Sequence, residues 1–257
     1  MPRLARKYIQ SNFVHIVTEG IKKEFIFYQD KYKNEYILLL KKYINEMSNS
    51  KLISYCVMSN HAHILIYTEN IEEVSILMRK INTAYAIYYN KNEDRVGYVF
   101  ANRYYSQPII NEPHLFTCIQ YIHQNPVKAG LVNSSNKYKF SSYKEFMENK
   151  LDKKIAKLIF GTENYLMEFN NLKIDNDVEI MDVAEEINSH SKLKVENLIN
   201  DFCEEFKVNL SQVKKSNYLI LKFKEYLCQN FKITNKTICG ILGIGKNRIK
   251  AIESKLK

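Results

Sequence analysis

Paired cysteines are missing from this chain. Its five cysteines, Cys56, Cys118, Cys203, Cys228 and Cys239, are odd in number and scattered, with no Cys-x-x-Cys spacing. A disulfide framework and a zinc knuckle are thereby excluded as organising devices. Long apolar runs are missing as well, so no stretch has the length of a membrane-spanning helix. The basic opening Met1-Pro2-Arg3-Leu4-Ala5-Arg6-Lys7 is followed by no signal-type apolar core or cleavage site. No stretch reads as a lysine-rich interfacial helix. The expectation is a cytoplasmic protein, nucleoid-associated if it binds DNA, with no membrane partner.

What is present is a soluble, globular composition, 46% apolar and 26% charged over 257 residues, enough for one large domain or two modest ones. The net charge of +10 makes a polyanion the first partner to consider, because lysines and arginines gain affinity by releasing phosphate counterions. Richness in Lys, Asn and Ile also fits nucleotide bias in a genome, so charge alone does not fix the partner.

The stretch Val57-Met58-Ser59-Asn60-His61-Ala62-His63-Ile64-Leu65-Ile66-Tyr67 reads as a turn entering a strand. Side chains alternate along a strand, so His61 and His63 share a face. Two adjacent imidazoles can hold a divalent cation, or they can be an ordinary hydrogen-bonded pair. Around them, Lys7 to Glu19 reads as a first strand with Phe13, His15 and Val17 alternating, and Gly20 ends it. Lys23 to Met47 reads as a helix, with Phe25, Tyr28, Tyr32, Tyr36, Leu39, Leu40 and Tyr43 at helical steps. Lys51 to Met58 reads as a strand paired antiparallel to the histidine strand, and Glu72 to Asn90 as a second helix. The stretch Gly97 to Ile110 supplies a loop and a fourth strand. This β-α-β-β-α-β order predicts an α+β, ferredoxin-like four-stranded antiparallel sheet with helices on one face, the other face being left for a ligand.

Glu112-Pro113 opens a further helix to about Gln124, which Pro126 is expected to stop or kink at Asn125. Tyr138 to Met147 follows, with Phe140-Ser141-Ser142-Tyr143. The expected division is 1–149, a connecting helical region 150–195 with an acidic patch (Asp175, Asp177, Glu179, Asp182, Glu185, Glu186), and an all-α region 196–257. One continuous domain is the alternative. In the last region Tyr218, Leu219, Leu221, Phe223, Tyr226 and Leu227 form the expected core face. Thr234 to Lys250 has the layout of a helix-turn-helix, with Ile238, Leu242, Ile244, Ile249 and Ile252 inside and Gly243 at the turn. Lys246, Asn247, Arg248 and Lys250 would then meet duplex DNA; a helical hairpin with a basic surface has the same pattern.

Tyr121 and Asn125 fall four residues apart, on one helical face if the turn persists. A phenol is a poor nucleophile near neutral pH, but it can attack a phosphodiester whose charge a cation neutralises. His61, His63 and the Asn125 amide oxygen would give such a cation three ligands, a mixed set suited to Mg²⁺ or Mn²⁺. Either residue alone is unremarkable among 19 tyrosines and many asparagines.

Taken together, Met58-x-x-His61-Ala62-His63-x-Leu65, Gly97-x-x-Phe100-x-x-Arg103-Tyr104 and Tyr121-x-x-x-Asn125-Pro126-Val127-Lys128-Ala129-Gly130-Leu131-Val132 resemble the single-tyrosine transposases of the HUH superfamily. Met1-Pro2-Arg3-x-Ala5-Arg6 and Phe140-Ser141-Ser142-Tyr143 make the REP-associated tyrosine transposase branch the most similar. The resemblance covers about residues 1–147. It implies an HUH fold and a metal-dependent nuclease and strand transferase acting on single-stranded, hairpin-forming DNA. In it Tyr121 would form a 5′-phosphotyrosine link and His61, His63 and Asn125 would ligate Mg²⁺ or Mn²⁺. Arg103 and Lys128 would contact DNA, with Tyr104 and Tyr105 stacking on bases or simply packing. Lys128 stands where the family has arginine, keeping charge and losing the bidentate fork. The C-terminal pattern loosely resembles the DNA-binding end of the initiator DnaA. Monomer or homodimer, and an active site within or between chains, are left open. So are a catalytically silent or domesticated DNA-binding regulator and, with shared chemistry, a replication initiator or relaxase.

Overall fold

In a computed structural model, which describes residues 11–171, 180, 192–230 and 233–254, the sheet has four strands in the order β2-β3-β1-β4. These are β1 (Phe13–Glu19), β2 (Ser50–Val57), β3 (His61–Thr68) and β4 (Tyr105–Pro108), and every pairing is antiparallel. Helices α1 (Asp30–Asn45) and α2 (Ile71–Asn92) cross over between them, giving the predicted ferredoxin-like arrangement. β1 and β3 lie in the centre. Val14, Ile16, Ala62, Ile64 and Ile66 face one way, under α1 and α2, and are fully buried.

α2 forms where its periodicity predicts, burying Val74, Leu77, Met78, Ile81 and Tyr85, with the Asn70 side chain capping the Glu72 N–H. α1 starts later than its pattern suggests. Phe25, Ile26, Phe27 and Tyr28 are all buried in succession, which no single helical face allows. They run through an irregular segment, with Lys22 and Lys23 at φ 53° and 61°, and only from Asp30 does the spacing Tyr32, Tyr36, Leu40, Ile44 take over. The first strand is described from Phe13; the residues expected to begin it lie partly outside the described set.

The opposite face of the sheet is not left open. α3 (Glu112–Lys128) packs on it over β2 and β3. Asn111 caps its start, and Pro126 neither stops nor breaks it. Proline at this point costs one hydrogen bond within the last turn, where the chain is already closing. A left-handed Gly130 (φ 67°) then ends the helix, with Leu131 N–H on the Pro126 carbonyl at 2.9 Å and Gly130 N–H on Val127 at 2.9 Å. Beyond it, Phe140–Ser142 lies along the outer edge of β2. Val57 N–H donates to Phe140 O, Ser142 N–H to Tyr55 O, and Tyr55 N–H to Ser142 Oγ. This Phe-Ser-Ser segment closes an edge that would otherwise invite pairing with another chain.

α4 (Tyr143–Met147) ends at Asn149, which takes φ 55°. α5 (Lys153–Phe160) and α6 (Leu166–Asn171) follow; the acidic patch from Asp175 to Glu186 lies outside the described residues. The C-terminal helices are α7 (Lys192–Glu205), α8 (Leu210–Lys215), α9 (Asn217–Asn230), α10 (Asn235–Leu242) and α11 (Arg248–Glu253). In α9 the buried face is Ile220, Phe223 and Leu227, so Phe223 and Leu227 stand where expected; Leu219, Leu221 and Tyr226 are half-buried at its margins, and Tyr218 is exposed. Ile238, Leu242, Ile244, Ile249 and Ile252 are buried between α10 and α11, and Gly243 takes the left-handed φ of 64° at the end of α10.

Two buried carboxylates join these helices to the sheet-bearing part. Glu93, fully buried, accepts from the Tyr28 hydroxyl at 2.8 Å, the Tyr32 hydroxyl, and Ser211 N–H at 3.2 Å. Glu24, 2% exposed, accepts from Arg95 at 2.8 Å and Lys214 at 3.0 Å. A Cβ on Gly243 would come within 2.7 Å of its Oε2. Replacing Glu93 by alanine strands three donors and opens a cavity. The expected loss is about 3–5 kcal/mol, read as a lowered urea midpoint of the full chain; an unchanged midpoint would rule out this joint.

Candidate active site

The β1–β3 register pairs Val17 with His63, Glu19 with His61 and His15 with Leu65. Directly opposed residues of an antiparallel pair share a face, so His15, Glu19, His61 and His63 all stand on the side that α3 covers. His15, His61 and His63 are fully buried. Burial pushes the His63 pKa down to about 3, which keeps that imidazole neutral and able to act as a ligand.

The ring contacts define the site. His61 Nε2 and His63 Nε2 approach to 3.0 Å, with the ring planes at 84°. His61 Nδ1 lies 2.8 Å from Asn60 Oδ1, and His63 Nδ1 lies 3.0 Å from His15 Nε2. From α3, Asn125 Nδ2 reaches His63 Nε2 at 3.2 Å. Because Asn60 Oδ1 can only accept, His61 carries its proton on Nδ1 and leaves Nε2 unprotonated. Two cis ligands about 2.1 Å from an octahedral ion stand roughly 3 Å apart, so the pair has the spacing that a shared Mg²⁺ or Mn²⁺ requires. Among the described residues no three His, Cys, Asp or Glu side chains converge on a metal position, so a third protein ligand has to be of another type. The Asn125 amide, turned to present its oxygen, fits that need.

Tyr121 belongs to the same chain and the same constellation. Its ring meets the His63 ring edge-on at a centroid distance of 5.5 Å and the His15 ring at 6.4 Å. The hydroxyl is buried. Lys128, two turns further along α3, sets its ammonium 4.7 Å from the centre of the Tyr121 ring. The uninterrupted helix through Pro126 is what lines up Tyr121, Asn125 and Lys128.

The remaining predicted residues lie elsewhere. Arg103 is exposed, on the loop before β4. Tyr104 is not available to stack on a base: it is 5% exposed and its hydroxyl is 3.1 Å from Ser75 Oγ. Tyr105, half-buried, pairs with Val17 and so stands on the histidine face. A cavity of about 800 Å³ between α2 and the loop 97–104 contains neither histidine of the pair nor Tyr121. The chemistry points to the His61–His63 site, where polar groups converge. Lys246, Asn247, Arg248 and Lys250 are all exposed on the turn before α11 and on α11 itself.

Sequence reasoning missed His15, Asn60 and Glu19 as members of the site. His15 and Glu19 were visible only as strand residues, since nothing local gives the register that sets them beside His63 and His61. Asn60 was visible as a turn residue.

Residues 8–125 match the family model described as "Transposase IS200 like". Among solved structures, a REP-associated tyrosine transposase bound to a REP hairpin matches with a TM-score of 0.50 and 16% identity, covering 59% of this chain and 88% of that one. At that identity the likeness shows a shared fold. No curated protein is similar to the chain in sequence. The strands, both paired histidines, Tyr121 and Asn125 fall inside the matched residues, so this part of the chain, somewhat under half of its length, is similar to the IS200-like transposases.

Proposed function

We propose that this protein is a transposase that cuts and rejoins single-stranded DNA beside a hairpin, with Tyr121 as the nucleophile. The observation that carries this is the Tyr121 ring set perpendicular to that of His63, centroids 5.5 Å apart, next to two converging Nε2 atoms. In the cut, the phenolic oxygen bonds to the scissile phosphorus while the bond from phosphorus to the 3′-oxygen breaks. The phenol gives up its proton and the departing oxygen takes one up, leaving a 5′-phosphotyrosine and a free 3′-hydroxyl. A 3′-hydroxyl that attacks this ester reverses the exchange, so joining needs no outside energy source.

His61, His63 and Asn125 would hold a Mg²⁺ or Mn²⁺ ion, which when bound neutralises phosphate charge. Burial keeps His63 neutral for that task. Lys128 adds positive charge beside Tyr121, and Arg103, which is exposed, would contact the backbone of the strand. That the structural neighbour is bound to a REP hairpin supports a hairpin as the DNA form.

The 257-residue chain with Mn²⁺ should become covalently attached to a hairpin-bearing single strand. Tyr121→Phe should abolish the adduct, seen as loss of the shifted band on a denaturing gel, while hairpin affinity stays within about threefold because one hydroxyl contributes little to phosphate-dominated binding. An adduct that persists in Tyr121→Phe would refute this nucleophile. Hairpin binding with no metal-dependent nicking by the wild type would favour a DNA-binding regulator instead.

The exposed Lys246, Asn247, Arg248 and Lys250 support a second, duplex contact through α11. Changing Lys246, Arg248 and Lys250 together to alanine should weaken binding to a hairpin with an extended stem. For every phosphate that the variant no longer neutralises, the slope of log K against log salt should become shallower by about 1. A slope that does not change would remove α11 from the interface.

A further inference from the structure

The two paired histidines are each held from behind by a different residue. His61 Nδ1 donates to Asn60 Oδ1 at 2.8 Å, and His63 Nδ1 lies 3.0 Å from His15 Nε2. We propose that Asn60 and His15 are positioning residues that fix the tautomer and the aim of His61 and His63, so that both Nε2 atoms are offered to one divalent ion. This deepens the reading of that pair as an ion site and rests on it.

An imidazole can put its proton on either nitrogen, and only the unprotonated one ligates a metal. In water the two tautomers exchange freely. Here the surroundings choose. With an ion on Nε2 the His63 proton has to sit on Nδ1, where His15 Nε2 stands 3.0 Å away to accept it. The His15 and His63 rings lie 14° from coplanar with centroids 5.2 Å apart, the arrangement of an in-plane N–H···N bond, not of two stacked faces. The His61 ring is turned 84° from that of His63, and it is Asn60 that receives its remaining N–H.

All three rings are fully buried, and Asn60 is 8% exposed, so water cannot substitute for either partner. The turn that carries Asn60 is itself fastened. Gly20 N–H donates to Asn60 O at 2.8 Å and Phe27 N–H to Ser59 O at 2.8 Å, tying the turn to the segment before α1. Ligating histidines bound this way by their second nitrogen gain both orientation and basicity, and losing such a partner typically costs about 10–100-fold in metal affinity.

The test is Mn²⁺ binding by the full chain, followed by calorimetry and by the loss of the free-ion electron paramagnetic resonance signal, with melting curves on every variant. His15→Phe and Asn60→Leu keep bulk and remove the acceptor; His15→Gln and Asn60→Asp keep an acceptor in place. The first two should bind Mn²⁺ about 10–100-fold more weakly. His15→Gln should stay within about threefold of wild type, and Asn60→Asp should bind at least as tightly as wild type, since a carboxylate partner raises ligand basicity. The proposal is overturned if His15→Phe and Asn60→Leu bind like wild type, or if the acceptor-keeping variants lose affinity as fully as the others. His61→Ala separates the two levels of the argument: Mn²⁺ binding unchanged in it sinks the ion site itself, and the positioning roles with it.

Discussion

Everything at the candidate site depends on how β1 lies against β3. A shift of one residue in an antiparallel pair sends every side chain to the opposite face. With Val17 opposite His63, the three buried imidazoles and Glu19 gather under α3 while Val14, Ile16, Ala62, Ile64 and Ile66 gather under α1 and α2. Both faces are committed, so the register has no near competitor. Burying imidazoles is costly unless each finds a partner, and the chain of contacts from His15 through His63 to His61 and Asn60 meets that condition.

The tyrosines show how the same side chain is used in two ways. Tyr28, Tyr32, Tyr36, Tyr85 and Tyr89 fill the layer between α1 and α2, where each ring supplies bulk and most hydroxyls have a fixed partner. Tyr85 donates to the Ile26 carbonyl at 2.7 Å, and Tyr28 and Tyr32 to Glu93. In that layer burial pushes the Tyr36 phenol far above its ordinary range. Tyr121 is placed differently, on the other side of the sheet, with two imidazoles and an ammonium around it. Composition could not have separated it from the rest; position does.

The alternating pattern at His61–Tyr67, the periodicity of α2 and the strand order were readable because each is a local repeat tied to burial. The His-x-His pair and the Tyr121–Asn125 spacing were readable for the same reason. Three features were hidden. Phe25 to Tyr28 looked helical because aromatic spacing there agrees by chance with a helix, whereas four successive residues are buried by different neighbours. Pro126 looked like a stop because its effect depends on distance from the helix end, which the Gly130 cap sets. His15 and Asn60 looked ordinary because their importance comes from contacts across the sheet and from the far side of a turn. Tyr104 shows the reverse error, an aromatic beside an arginine that the fold uses for packing.

The segment that leads from β1 into α1 has two clients. On one side its backbone holds the Ser59–Asn60 turn; on the other its Glu24 is buried against Lys214 of α8 and the glycine that ends α10. A chain ending before α8 would retain its histidines and its tyrosine, yet Glu24 and Glu93 would lose their covering and part of their donors. The floor beneath Asn60 is laid partly by helices that the family match does not reach. The terminal helices are in that sense part of the foundation of the histidine pair, whatever they grip on their outer surface.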